Sequence, residues 1–186
     1  MTSENVSIGE ADLILVDAKN TLWRGVYAQT GKLGYKDAGK FRRTGAVYGF
    51  LEAVLSVAFQ AKDADVYVCW EGSRKNRRAI VPEYKAHRDA DERIQEMLKI
   101  VSEQTRILRG LLELTSWFQA KSKHWEADDV IATIAARGKA QGFNVLIYSN
   151  DKDLYQCLDE SDDSWVRQYA VKKSDPNPIH TEHRLL

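Results

Sequence analysis

Two cysteines, four histidines, no net charge and no long apolar run set the first limits on this chain of 186 residues. Cys69 and Cys157 fit no metal-binding or redox spacing, so both read as buried thiols in a reducing compartment. No apolar stretch approaches the roughly 20 residues of a membrane helix. Met1 to Asp12 is polar and acidic, with no basic region leading into an apolar one, so no signal peptide is expected. Repeats and low-complexity segments are absent too. What remains is an ordinary apolar content of 44%, which fits a soluble globular protein. The length suits one domain, residues 1–186, around a single core.

The balance of 27 basic and 27 acidic residues hides a strong local polarity. Between Arg74 and Arg88 lie Arg74, Lys75, Arg77, Arg78, Lys85 and Arg88, opposed only by Glu83. A second basic stretch sets Lys32, Lys36, Lys40, Arg42 and Arg43 against Asp37. Acids gather elsewhere, including Asp159 to Asp163. Such separation suits an enzyme that grips phosphates on one surface and holds cations on another.

Hydrophobic patterning predicts strands at Leu13–Val16, Val66–Trp70 and Val145–Tyr148, and a further one within Trp165–Val171. Helical spacing marks Ala46–Ala61, Asp91–Leu114 and Ala127–Lys139, the last stopping near Gly138 or Gly142. In the second of these, Ile94, Met97, Leu98, Val101, Ile107, Leu108 and Leu111 mark the inner face. Asn20–Ala28 reads as a helix start, Leu154–Leu158 as a short helix, and Gln29–Thr44 as a loop. The last residues, from Asp175, read as a Pro-containing segment and then the first turns of a helix. Strands alternating with helices predict an α/β fold with a central, mostly parallel sheet flanked by helices.

In that architecture ligands bind beyond the carboxyl ends of the strands. Asp17, Glu71 and the pair Asp151 and Asp153 follow the three clearest strands, and Glu126, Asp128 and Asp129 open a helix. Each acid has a bland role available as a turn residue, a cap or a partner of the helix dipole. Together, four separate segments aim acids at one edge. Like charges about 4 Å apart cost roughly 4 kcal/mol at an effective dielectric near 20, so convergence requires protons or cations. Oxygen donors without His or Cys suit Mg²⁺, with Mn²⁺ as a substitute. Two such ions can activate a water and stabilise the leaving oxygen of a phosphodiester. The start of the chain also approaches the D-x-D-x-T pattern of haloacid-dehalogenase phosphatases, but Lys19 stands where their second acid would be, which argues against that chemistry.

The segment WEADDVIATIAARGKAQGFNVLIYSNDKDLYQ, Trp125 to Gln156, closely resembles the 5′-nuclease family: the 5′–3′ exonuclease domain of family A DNA polymerases, phage 5′–3′ exonucleases and flap endonucleases. VDAKNTLWRGVYA, TGAVYGF and RRAIVPEYKAHR agree in the same order, so the match spans nearly the whole chain. The resemblance implies a PIN-like, resolvase-like catalytic domain with a basic arch at residues 74–88. It implies two Mg²⁺ ions held by Asp17, Glu71, Glu126, Asp128, Asp129, Asp151 and Asp153, with Lys85 among the catalytic residues. Arg24, Arg77, Tyr84, Lys85 and Arg88 would contact nucleic acid, Tyr84 by stacking on a base. The expected substrates are DNA 5′ ends and flaps, and RNA primer strands. The expected setting is the cytoplasm of a bacterial or phage-infected cell, beside a polymerase or other replication partner and away from membranes.

Two departures stand out. The family's F-D-G at the end of the second strand is here Trp70, Glu71 and Gly72, which moves the carboxylate one methylene outward. Ala18 follows Asp17 where Gly is usual. Ile179–Leu186 resembles the run-up to the family's helix-three-turn-helix region, which grips duplex backbone and supplies two further aspartates. If nothing replaces that region, one alternative to a working nuclease is a catalytically weak nucleic-acid-binding domain. A PIN-like ribonuclease is the other alternative.

Overall fold

A computed structural model describes residues 7–28, 33–37, 39–73, 79, 92–170 and 178–182. Arg77, Tyr84, Lys85 and Arg88, and with them the expected arch, lie outside the described residues. After a 3₁₀ turn at Ile8–Glu10, the chain forms β1 (Leu13–Asp17), α1 (Ala18–Ala28), β2 (Gly34–Asp37), β3 (Lys40–Arg43), α2 (Gly45–Ala58) and β4 (Asp65–Trp70). There follow α3 (Glu92–Leu112), β5 (Phe118–Lys121), α4 (Ala127–Ala140), β6 (Val145–Tyr148), a 3₁₀ segment (Lys152–Cys157), β7 (Val166–Tyr169) and β8 (Ile179–His180). The main sheet has the order β5-β4-β1-β6-β7-β8 and is parallel except for β8. It is the α/β, mostly parallel sheet flanked by helices that the sequence predicts.

The central strands are apolar because both faces are covered. Ile14, Val16, Val68, Trp70 and Tyr148 pack into one core with Leu22, Phe50, Val54 and Leu108 from α1, α2 and α3. Leu15, Cys69, Val145 and Ile147 alternate to the other face and meet Ile131 and Ala135 of α4 and Leu154 of the 3₁₀ segment. The register Leu13↔Asp65 and Leu13↔Val145 aligns β1 with both neighbours, so their carboxyl ends share one edge. Gly142, at φ +84°, lets the chain leave α4 through the left-handed region, and Phe143 N–H bonds back to the Gly138 carbonyl at 3.1 Å.

Several expectations need correction. Within the expected loop Gln29–Thr44, residues 34–37 and 40–43 pair as an antiparallel hairpin. Short period-two patterning is masked there by lysines and arginines, which an exposed ribbon tolerates. β5 has no apolar signature, since Phe118–Lys121 forms an edge strand exposed at both ends of its span. Ile179–His180 pairs antiparallel with β7, a strand the sequence did not mark; the expected helical turns after it fall at Glu182 and on residues outside the described ones. On α3 the inner face uses Leu112, while Leu111 is 40% exposed. The same face buries Gln104, whose Oε1 accepts from Ala46 N–H at 2.7 Å and Val47 N–H at 3.3 Å, capping α2 from a neighbouring helix.

Candidate active site

Asp17 is the last residue of β1 and is only 4% exposed. Its Oδ1 accepts from the backbone N–H of Asn20, in the first turn of α1, at 3.0 Å. Its Oδ2 accepts from the Ser149 hydroxyl, just past β6, at 3.0 Å. These two bonds favour the charged carboxylate, but burial outweighs them and pushes its pKa from the ordinary 3.8 up to about 6. The negative charges of Glu71 and Asp151 raise it further. Acids from the ends of β1, β4 and β6 therefore act on one another at the same sheet edge.

Asp151 is held beside Asp17 by a short network. Its backbone N–H donates to Ser149 Oγ at 3.1 Å, and its Oδ1 accepts from Asp153 N–H at 3.0 Å, capping the 3₁₀ segment. Asn150 N–H donates to Asn20 Oδ1 at 3.2 Å. From β7, the buried Gln168 donates through Nε2 to the carbonyls of Ser149 and Asp151, at 2.8 and 2.9 Å. The loop that carries the acid is thus fixed from both neighbouring strands. Ser149 was hidden among the polar residues after β6, and Gln168 carried no local signal at all.

Glu71 lies one residue past β4. Gly72 then threads so close to the backbone carbonyls of Ser122 and Trp125 that a side chain would clash with both. This close approach brings Glu71 to the start of α4, where its Oε2 accepts weakly from Ala127 N–H at 3.4 Å. Its Oε1 accepts from Lys19 Nζ at 3.0 Å. Glu126, the residue before α4, is buried, and its backbone N–H donates to Asp129 Oδ2 at 3.0 Å. Asp129 thus serves as a cap of the kind expected for an acid in a first turn. Asp128 faces the 3₁₀ segment, and its charge adds to the burial that raises the Cys157 thiol. Asp128 and Asp129 line a groove of about 940 Å³ with Gln156 and Cys157. Asp153 is exposed. Cys69, buried behind Asp17, has its thiol pushed up to about 12, which makes it unreactive.

The edge brings Asp17, Glu71 and Asp151 into electrostatic contact and sets Glu126 nearby through α4. Asp129 caps α4, Asp128 lies within reach of the 3₁₀ segment after β6, and Asp153 is exposed at the start of that segment. Among the described residues, no three Asp, Glu, His or Cys side chains close around a point that could hold a metal ion. The donor chemistry nonetheless fits a hard divalent cation: the carboxylate of Asp17 is buried, costly to ionise and within the fields of the carboxylates of Glu71 and Asp151. Arg24 is committed to the protein, donating to Tyr148 Oη at 3.2 Å and lying 5.7 Å from that ring.

A parallel sheet with acids grouped at its carboxyl edge defines the PIN-like, resolvase-like class of nuclease folds. The family model for the 5′–3′ exonuclease N-terminal, resolvase-like domain matches residues 12–183, and the chain belongs to that family. DNA polymerase I of Geobacillus stearothermophilus is 31% identical over 145 residues, covering 77% of this chain and 15% of the polymerase. A 5′–3′ exonuclease of Aquifex aeolicus is 28% identical over 175 residues, covering 89% of this chain and 57% of that protein. Among solved structures, T5 5′-exonuclease with divalent metal ions (zinc) bound shares the fold with a TM-score of 0.64 at 20% identity, over 84% of this chain and 54% of that one. Human GEN1 in complex with Holliday junction DNA gives 0.53 at 14% identity, over 94% of this chain and 40% of that one. The chain thus spans little more than half the length of these relatives, or less.

Proposed function

We propose that this chain is the catalytic domain of a divalent-metal nuclease that hydrolyses DNA phosphodiester bonds at 5′ ends and flaps. The observation that carries the reading is the buried Asp17, held at the carboxyl edge of the sheet within the fields of Glu71 and Asp151. A fold spends stability on such a carboxylate where its charge is used. Mg²⁺ is the proposed cofactor, two ions as in two-metal phosphodiester cleavage, with Mn²⁺ able to replace it. Asp17, Glu126, Asp128, Asp151 and Asp153 would hold them, directly or through water. When bound, the metal lowers the pKa of a water and stabilises the leaving oxygen.

The residues of the chain do the positioning. Ser149 and Asn20 fix both oxygens of Asp17, so the carboxylate keeps one orientation. Gln168 fixes the carbonyls around Asp151 and limits drift of that loop. Asp129 caps α4 and holds Glu126 at its entry. Arg77, Lys85 and Arg88 of the proposed arch would hold substrate phosphates, with Tyr84 against a base. RNA primer strands are proposed as further substrates. The bacterial polymerase relatives support a cytoplasmic setting beside a polymerase. Among the described residues, no helix is long and apolar enough to cross a membrane.

The test is cleavage of a 5′-flap DNA by this chain with Mg²⁺, beside Asp151→Ala. Cutting near the branch that is lost in the variant and in chelator supports the reading. Folded protein that does not cut, with or without Mg²⁺, would refute it for this chain. Preferential cutting of single-stranded RNA would favour the PIN-like ribonuclease instead.

A further inference from the structure

Lys19 and Glu71 meet at 3.0 Å, each about one-quarter exposed, at the position where the family resemblance leads one to expect a metal-holding aspartate. Lys19 is the second residue of α1, two past Asp17, and glutamate reaches one methylene farther than aspartate would. The pair borders a small cavity of about 190 Å³ between α3 and the ends of β4 and β5, lined by Trp70, Thr105, Arg109 and Lys121 as well. Arg109 lies 5.7 Å from the Trp70 ring centre, which holds its guanidinium over that wall. Three cations and one carboxylate thus lie on the wall of this cavity, whose other side is the apolar Leu22, Leu98 and Val101.

We infer that Glu71 serves Lys19 and not a metal ion, and that Lys19, Arg109 and Lys121 form a pocket for a phosphate of the substrate strand. The inference rests on the nuclease reading for the identity of that strand. An ammonium at 3.0 Å already neutralises Glu71, so a cation binding there would first have to displace Lys19. The second oxygen of Glu71 faces the Ala127 N–H at the start of α4, which holds the carboxylate from the other side. Glu71 is therefore a positioning residue: it anchors the ammonium at the mouth of the cavity. The cavity itself presents more positive than negative charge, the wrong sign for a metal and the right one for a phosphodiester or a terminal phosphate.

Two titrations test this. Calorimetry with Mn²⁺ alone compares the wild type with Glu71→Gln and Asp17→Asn. Glu71→Gln should stay within about twofold of the wild type, while Asp17→Asn should fall at least about tenfold, the loss that removing even an outer-shell partner of a metal typically causes. Separately, a 5′-phosphorylated single-stranded oligonucleotide is titrated in EDTA over a range of salt. Lys19→Met and Lys121→Met should each weaken binding roughly three- to tenfold and flatten the log–log salt slope by about 0.7. Lys19→Arg should retain binding, and Lys62→Met, at the opposite edge of the sheet, should change nothing. A tenfold loss of Mn²⁺ affinity in Glu71→Gln would overturn the inference, as would Lys19→Met binding DNA like Lys62→Met. A wild type that binds no Mn²⁺ would defeat the nuclease reading instead, and the metal-free DNA arm would still decide the pocket.

Discussion

Asp17→Asn should make the metal-free protein more stable at neutral pH while removing its proposed activity. Burial lifts the folded pKa of Asp17 from 3.8 to about 6, so the fold favours the protonated acid. Below pH 3.8 the side chain is neutral in both folded and unfolded states and carries no penalty. As pH rises towards 6 the unfolded chain ionises freely while the folded one resists, and stability is lost; above 6 the full penalty applies. A shift of about two units corresponds to ~3 kcal/mol. Asparagine cannot ionise. Its oxygen can still accept from Asn20 N–H, and its amide can donate to Ser149 Oγ, which already accepts from Asp151 N–H. The variant should therefore match the wild type near pH 4 and exceed it by up to ~3 kcal/mol at pH 7.5, a rise in Tm of roughly 6 to 12 °C for a chain of this size. Urea unfolding in EDTA at several pH values measures the difference directly. Parallel stability curves for the two proteins would refute the argument. Adding Mn²⁺ should then reverse the order by stabilising the wild type selectively.

Other consequences can be tested with the same unfolding assay. Ser149→Ala removes the donor to Asp17 and the acceptor for Asp151 N–H, and should cost about 1 to 3 kcal/mol at neutral pH. Gln168→Leu strips hydrogen bonds from two carbonyls; hydrogen exchange should accelerate at residues 149–153 before the rest of the sheet is affected. Gly72→Ala places a methyl against two backbone carbonyls and should destabilise by several kcal/mol, because neither wall is a movable side chain.

The layout of the sheet and the acids at its edge could be read from the sequence because both follow simple patterns. Continuous apolar runs marked β1, β4 and β6 since these strands are buried on both faces. β5 and β8 are edge strands with little to bury, and periodicity gives them no mark. The acids were visible by type and place, but not their division of labour. Asp129 turned out to cap α4, and Glu71 to pair with Lys19, because a carboxylate meets whichever donor is nearest. In the sequence Lys19 stands out only as the residue that spoils a phosphatase motif. Its role as a counter-ion depends on a partner brought in by the β1–β4 pairing, which no local pattern reveals.

The strand order also governs how the molecule is assembled. β1 is made first yet lies in the middle of the sheet, with β4 on one side and β6 on the other. Its contact with the β6 side, such as Ser149 to Asp17, spans 132 residues of chain. Until β6 emerges, the apolar segment LILV has one open hydrogen-bonding edge in a growing polypeptide. Such long-range parallel pairing is slow to form and leaves intermediates prone to association. The buried Asp17 on β1 therefore gains its Ser149 partner only late in synthesis, and a ribosome stalled before β6 would display an aggregation-prone strand in place of a finished acidic edge.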